Sequence, residues 1–266
     1  MNAPVEPIST LAVPRRIIVG VAVAALRQDE AIALLEHRIL GGDFTKVGFL
    51  NAHISNIACA DARLMRALDG FLVLPDGVGV DIASKLLYAE TFPDNLNGTD
   101  FVPALLKSIG QGRPFGQGLS VGLLGASPEN VAGAAKALAA MAPQHRFHVV
   151  SDGFFSPLDE PKILAKLAEM RPDILLVAMG VPKQELFIAD RTTDIHATCV
   201  FAVGALLDFL SGAVPRAPQW MRSARLEWLF RLVIEPGRLW RRYMLGNPIF
   251  LLHVISQKLT GAWSRR

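Results

Sequence analysis

The sequence predicts an α/β protein: a Rossmann-like, largely parallel sheet flanked by helices, with a basic helical appendage at the C-terminal end. Three observations carry that prediction. Short apolar runs alternate with helical patterns as far as Ala205, the signature of successive βαβ units. With 51% apolar and 19% charged residues in a chain of 266, a sizeable core can be buried and the composition is that of a folded rather than a disordered chain. After Ala205 the pattern becomes helical and basic.

Taken in order, residues 1–14, with Pro4, Pro7 and Pro14, read as a flexible N-terminal arm. A strand follows at Ile17–Val23, then a helix at Asp29–Ile39, a strand at Lys46–Leu50, one helix at Ile54–Leu68, a strand at Gly70–Leu74 and a helix at Val80–Leu87. In the second half strands fall at Ser120–Leu124, Arg146–Val150, Ile174–Ala178 and Cys199–Val203, and helices at Pro128–Met141, Pro161–Met170 and Lys183–Asp190. Pro215, Pro218, Pro236 and Pro248 punctuate the remainder into short helices. The resulting division is a sheet domain at 15–212 and a basic amphipathic appendage at 213–266. Arg15-Arg16 before the apolar run Ile17 to Leu26 imitates a signal peptide. That run passes directly into Arg27-Gln28-Asp29-Glu30 and a helical pattern, so a buried strand entering a helix fits better. No uninterrupted apolar stretch approaches the ~18–20 residues that span a bilayer.

Cys59 lies in a helical pattern and Cys199 in a strand pattern. Both read as buried, reduced thiols rather than as a disulfide framework, a zinc knuckle or a CxxC pair. Charge is unevenly distributed. From Arg216 onward ten Lys and Arg stand against two Glu, a net +8, whereas the preceding residues carry 17 basic and 22 acidic side chains, a net −5. An acidic body with a basic tail points to an anionic partner, nucleic acid or a membrane surface. In α-helical geometry Arg238, Arg241 and Arg242 share one face, beside Leu239, Trp240 and Tyr243, and Arg222 and Arg225 repeat the spacing one helix earlier. Such a segment suits an anionic bilayer. The tail aromatics Trp220, Trp228, Phe230 and Trp240 alternate with Leu and Val rather than forming a nucleic-acid surface, so no nucleic acid is expected.

Ligands of open α/β sheets collect outside the carboxyl ends of the strands, and four loops at such ends carry unusual residues. In Leu74-Pro75-Asp76-Gly77-Val78-Gly79 two roles fit Asp76: it caps the following helix, or it accepts a proton as a general base beside glycines that let a ligand approach. In Gly122-Leu123-Leu124-Gly125-Ala126-Ser127-Pro128, Ser127 is a good N-cap and Pro128 a good first helical residue, and the free amides there suit a diphosphate or serve simply as a turn. In Met179-Gly180-Val181-Pro182-Lys183-Gln184-Glu185, Lys183 is placed to pair with phosphate and Gln184 to hydrogen-bond a sugar or base, or the turn is merely solvated. In Asn51-Ala52-His53 the histidine is a base or a structural hydrogen-bonding residue. No DxD, HExxH or His/Cys cluster suggests a resident metal, GxSxG is absent, and without GxGxxG a nicotinamide oxidoreductase is weakly supported.

Together these loops form an ordered set: Asn51-Ala52, Pro75-Asp76-Gly77-x-Gly79, Gly98-x-Asp100, Gly122-x-x-Gly125, Gly153-Phe154-Phe155, Gly180-x-Pro182-Lys183-Gln184-Glu185 and Gly204-Ala205-x-x-Asp208-Phe209. The set, with the tail Arg216-Ala217-Pro218-x-Trp220, Leu226-Glu227-Trp228-Leu229-x-Arg231-Leu232 and Glu235-Pro236-x-Arg238-Leu239-x-Arg241-Arg242-Tyr243, resembles the WecG/TagA/CpsF glycosyltransferases, glycosyltransferase family 26. The resemblance runs from about residue 17 to about residue 252.

It implies an inverting, metal-independent transferase, without a cofactor, that moves a sugar from a UDP-sugar to a polyprenyl-diphosphate-linked sugar at the cytoplasmic membrane face. It implies a Rossmann-like catalytic domain whose appendage completes the site and contacts the membrane. The family's base falls on Asp76 and its functionally important glutamine on Gln184. Donor contacts are expected from Asn51, Gly77, Gly79, Gly125, Ser127, Gly180, Lys183 and Glu185. Acceptor and diphosphate contacts are expected from Asn97, Asp100, Arg216, Arg231, Arg238, Arg241 and Arg242. Expected partners are the two substrates, an anionic membrane surface and, through apolar sheet-edge surfaces, a homo-oligomer. Where family members often read Thr-x-Asn-x-Glu, this chain has Phe49-Leu50-Asn51-Ala52-His53. The altered lip points to the exopolysaccharide branch of the xanthan type, with glucose as donor sugar. The family's commonest donor sugar, N-acetylmannosamine, is the alternative.

Overall fold

The computed structural model describes residues 13–109, 118–223 and 226–261, so nearly all of the expected N-terminal arm lies outside the described residues. Eight strands form one sheet: β1 (Arg15–Ile18), β2 (Val21–Ala24), β3 (Thr45–Leu50), β4 (Leu72–Pro75), β5 (Ser120–Gly125), β6 (Arg146–Ser151), β7 (Ile174–Ala178) and β8 (Cys199–Ala202). Their order is β1-β2-β4-β3-β8-β7-β5-β6, parallel throughout except for the β1/β2 pair.

The helices follow as α1 (Gln28–Gly41), α2 (Ala52–Ala60), α3 (Ala62–Leu68), α4 (Val78–Tyr88), α5 (Gly98–Ser108), α6 (Pro128–Met141), α7 (Glu160–Met170), α8 (Lys183–Arg191) and α9 (Leu206–Leu210). The tail adds α10 (Gln219–Ser223), α11 (Glu227–Ile234), α12 (Pro236–Trp240), a π-helical turn (Arg241–Leu245) and α13 (Gly246–Thr260). Apolar residues of α1, α5, α6 and α9 pack on one face of the sheet, and those of α2, α3, α4, α7, α8 and α13 on the other. Because both faces are covered, strand residues are apolar in succession: Cys199 and Phe201 of β8 enter one core, Val200 and Ala202 the other.

The parallel α/β architecture is as the sequence predicts, with three local differences. The expected strand Ile17–Val23 is a hairpin, because Val19 (φ +47°) and Gly20 (φ +83°) form a two-residue turn of the left-handed kind that matches strand twist. Apolar content on both sides hides such a turn. The expected helix Ile54–Leu68 is two, since the Asp61 side chain accepts from the Arg63 and Leu64 amides and starts α3 afresh. Helix α5, absent from the expected set, begins under an Asn97 cap and carries Pro103 in its interior.

The tail departs further from regular spacing. Pro236 opens α12, but Pro248 lies inside the first turn of α13 rather than ending a helix. Proline has no N–H for the carbonyl four residues back, and the turn just before it is the one that widens to π geometry. The tail is also tied to the body. The Val19 amide donates to Gln257 Oε1 at 2.7 Å, Gln257 Nε2 donates to the Ile17 carbonyl at 2.9 Å, and Asn56 Nδ2 donates to the Gly246 carbonyl at 2.7 Å. Phe250 and Val254 are buried in the same core as Ala52 and Val80. The opposite side of α13 exposes Ile249, Leu252, Ile255 and Leu259. No helix among the described residues is long and apolar enough to cross a membrane.

Candidate active site

Strands β3 and β4 are neighbours with Leu50 opposite Pro75, so the next residues, Asn51 and Asp76, emerge side by side at the carboxyl edge of the sheet. Asn51 has two duties. Its Oδ1 accepts from the His53 and Ile54 amides and caps α2, which leaves its Nδ2 to donate to Asp76 Oδ2 at 2.8 Å. Asp76 is not a cap: the N-cap of α4 is Gly77, whose positive φ of +90° turns the chain away from the strand. The Gly77 amide is held by Asn95 Oδ1 at 2.8 Å.

The Asp76 carboxyl faces a cleft of about 440 Å³. The body wall carries Asn51, His53, Asp76, Asn95, Asn97 and Asp100, and the tail wall carries Trp228, Arg231, Arg242, Tyr243 and Asn247. Burial, the largest influence, raises the Asp76 pKa. The Asn51 hydrogen bond and the Arg242 and Arg231 charges oppose it, and the Asp100 charge adds to it. His53 is driven down to about 4 by burial and by Arg242, so it is a neutral imidazole at physiological pH. Arg231 stacks on Phe209, its guanidinium carbon 5.2 Å from the ring centre, and its buried Nε has no hydrogen-bond partner.

The expected site residues divide into three groups. Asn51, Asp76, Gly77, Gly79, Asn97, Asp100, Arg231 and Arg242 line one cleft. Arg216 borders it. Its Nη1 donates to Asp100 Oδ1 at 2.9 Å and its Nη2 lies 3.4 Å from Glu227 Oε2, so it braces α5 against α11 and lines a second hollow of about 370 Å³ with Lys107 and Phe209.

Gly125, Ser127, Gly180, Lys183, Gln184 and Glu185 sit at the carboxyl ends of β5 and β7 and do not line the cleft. A side chain at Gly125, which has φ +126°, would meet the Ala178 carbonyl oxygen at 2.2 Å, so the glycine serves strand contact. Ser127 caps α6. Lys183 Nζ donates to the Gly153 carbonyl at 3.2 Å and stands over the Phe155 ring. Gln184, only 2% exposed, spends its amide on protein: Oε1 accepts from the Gly204 amide at 3.1 Å and Nε2 donates to Glu185 Oε1 at 2.9 Å. Burial pushes Glu185 up to about 7 against the opposing Gln184 bond, and its Oε2 has no hydrogen-bond partner.

One expectation about the tail changes. Arg241 and Arg242 are consecutive in the π turn: Arg241 is exposed beside Trp240, whereas Arg242 lines the cleft next to Tyr243, so the two do not share a face. The backbone of Arg238 lies in α12 and that of Arg222 in α10, but their side chains, with all of Arg225, lie outside the described residues. Phe49, expected at the cleft lip, does not line the cleft. It is 6% exposed and its ring packs against the α-carbon side of Gly98. Asn95, Thr99, Trp228, Tyr243 and Asn247 were not expected in the site. Trp228 and Tyr243 belong to the tail motif, but only the packing of the tail, through α13, against α2 and α4 brings them opposite Asp76.

A doubly wound sheet whose carboxylate edge faces guanidinium groups across a cleft has the parts of a transferase acting on phosphorylated substrates. The comparisons give the particular family: residues 16–264 match the Glycosyl transferase WecG/TagA/CpsF family, and the chain belongs to it. It is 30% identical over 213 residues to the N-acetylglucosaminyldiphosphoundecaprenol N-acetyl-beta-D-mannosaminyltransferase of Bacillus subtilis (strain 168), covering 80% of this chain and 79% of that one. It is also 30% identical over 190 residues to the protein of the same description from Bacillus spizizenii (strain ATCC 23059 / NRRL B-14472 / W23), covering 71% of this chain and 70% of the relative.

Proposed function

We propose that the chain moves a sugar from a UDP-sugar to a polyprenyl-diphosphate-linked sugar by one inverting displacement, with Asp76 as the base. The observation that carries this reading is the Asp76 carboxyl, oriented by Asn51 and open to a cleft whose far wall holds Arg231 and Arg242. The acceptor hydroxyl attacks the anomeric carbon, its proton passes to Asp76, and the bond to the diphosphate breaks as UDP leaves with the electron pair. A raised pKa makes the ionised Asp76 a stronger proton acceptor than an exposed aspartate. The buried, unpartnered Arg231 Nε and the neighbouring Arg242 supply positive charge for an acceptor diphosphate.

For the sugars, the relatives' activity favours N-acetylmannosamine as donor sugar and N-acetylglucosaminyl-diphospholipid as acceptor. The glucose expectation rested on Phe49 and His53, and Phe49 does not line the cleft, so half of its basis is gone. We read the apolar outer side of α13, with Trp240 and Arg241 where α12 meets the π turn before it, as the surface that seats the protein peripherally on the cytoplasmic face of an anionic membrane.

Purified protein incubated with UDP-N-acetylmannosamine, UDP-glucose and glucose- or N-acetylglucosamine-diphospholipid is expected to release UDP and yield the N-acetylhexosamine disaccharide by mass. Asp76→Asn is expected to lower kcat by about 100-fold or more with donor binding retained. Near-normal turnover of that variant refutes the base assignment.

A further inference from the structure

Trp228 and Tyr243 meet at a ring separation of 5.7 Å and an interplanar angle of 59°, and both line the cleft opposite Asp76. Two tilted rings face a polar wall; the Arg242 guanidinium carbon stands 5.7 Å from the centre of the Tyr243 ring, which leaves Trp228 the larger aromatic face of the corner. Each ring is paired in the chain with a guanidinium that acts on Asp76: Arg231 lies one helical turn after Trp228 on α11, and Arg242 precedes Tyr243.

From this juxtaposition we propose that the Trp228–Tyr243 corner is a pyranose platform that binds the acceptor sugar through its C–H face. The proposal rests on the transferase reading above and adds to it the group that holds the sugar. A pyranose is apolar on its C–H face and polar round its edge, and an aromatic ring matches the first while the body wall, with Asn51, His53 and Asn97, matches the second. Spacing supports the same assignment. Residues three apart on a helix stand about 5–6 Å from each other, close to the distance between a sugar ring and the phosphate on its anomeric carbon. A ring on Trp228 therefore sets its diphosphate beside Arg231 and its far hydroxyls towards Asp76. Without the tail the body wall offers hydrogen bonds but no aromatic face, since both rings of the corner come from α11 and the π turn.

Two arms test this. In the first, N-acetylglucosaminyl diphosphate carrying a short alkyl chain, and the same alkyl diphosphate without sugar, are titrated into wild type and Trp228→Phe while tryptophan fluorescence is followed. The sugar-bearing probe is expected to change wild-type emission and to lose that change in Trp228→Phe, with the sugar-free probe giving little change. In the second, Trp228→Ala and Tyr243→Leu are expected to raise the acceptor KM by roughly tenfold or more, with donor KM unaltered and Trp228→Phe largely restoring it. Circular dichroism confirms that each variant is folded. Equal fluorescence changes with both probes overturn the platform and give the corner to the alkyl diphosphate, and so does an unaltered acceptor KM in folded Trp228→Ala. The fluorescence arm needs no turnover, so absence of UDP release by wild type refutes the transferase reading separately.

Discussion

Asn51 offers a quantitative test because its two hydrogen-bonding roles can be separated. Its Oδ1 caps α2 and its Nδ2 donates to Asp76 Oδ2 at 2.8 Å. Serine keeps a capping oxygen but is too short to donate to Asp76, whereas alanine removes both functions. A hydrogen bond to a charged group contributes about 1.5–3 kcal/mol, and 1.36 kcal/mol corresponds to one pKa unit. Removing it from the ionised form therefore raises the Asp76 pKa further. Activity that needs the carboxylate is gained as pH rises through that pKa. The acid limb of the kcat/KM profile is thus expected to move to higher pH in both Asn51→Ser and Asn51→Ala. Loss of a cap costs about 1 kcal/mol, so Asn51→Ala should melt roughly 2–4 °C below Asn51→Ser, which loses the bond to Asp76 but keeps the cap. Steady-state UDP release from pH 5 to 9 measures the first quantity and calorimetry the second. An acid limb in Asn51→Ser that coincides with wild type refutes the orienting role.

Three further perturbations follow from the geometry. Glu185 has a folded pKa of about 7 against an ordinary 4.5, so its contribution to stability is complete below about 4.5 and is lost as pH rises through 7; Glu185→Gln should flatten the fall in melting temperature between pH 5 and 8, and an unchanged slope contradicts this. Gln257→Leu leaves the Val19 amide and Ile17 carbonyl of the hairpin without their partner, with an expected loss of about 2–4 kcal/mol and faster hydrogen exchange in β1, β2 and α13, measurable by denaturant melts and mass spectrometry. Leu252→Glu with Leu259→Glu alters only exposed positions of α13 and should reduce co-sedimentation with anionic phospholipid vesicles without changing the melting temperature; undiminished sedimentation removes α13 as the membrane-seated surface.

Local chemistry is where the sequence spoke most directly. Alternation of apolar runs and helical patterns identified the parallel sheet, because burial on both faces leaves a signature in composition. The turn at Asp76-Gly77 was visible because a glycine with φ +90° has few substitutes there. The hairpin at Val19-Gly20 was not, since its flanking residues are apolar in either arrangement. Neither was the fate of Gln184, whose motif is prominent but whose amide is consumed by Gly204 and Glu185.

By itself, then, the sequence determined the architecture, the family pattern and the aspartate at the strand end, all of which depend on residues close together in the chain. Tertiary structure alone decided which side chains face that aspartate. Asn51 reaches it because β3 and β4 pair in one register, and Trp228, Arg231, Arg242 and Tyr243 reach it because α13 is anchored to the hairpin and α2 some 190–240 residues away. Contacts across such separations are set by packing and by the satisfaction of buried backbone groups, and short-range pattern carries no record of either.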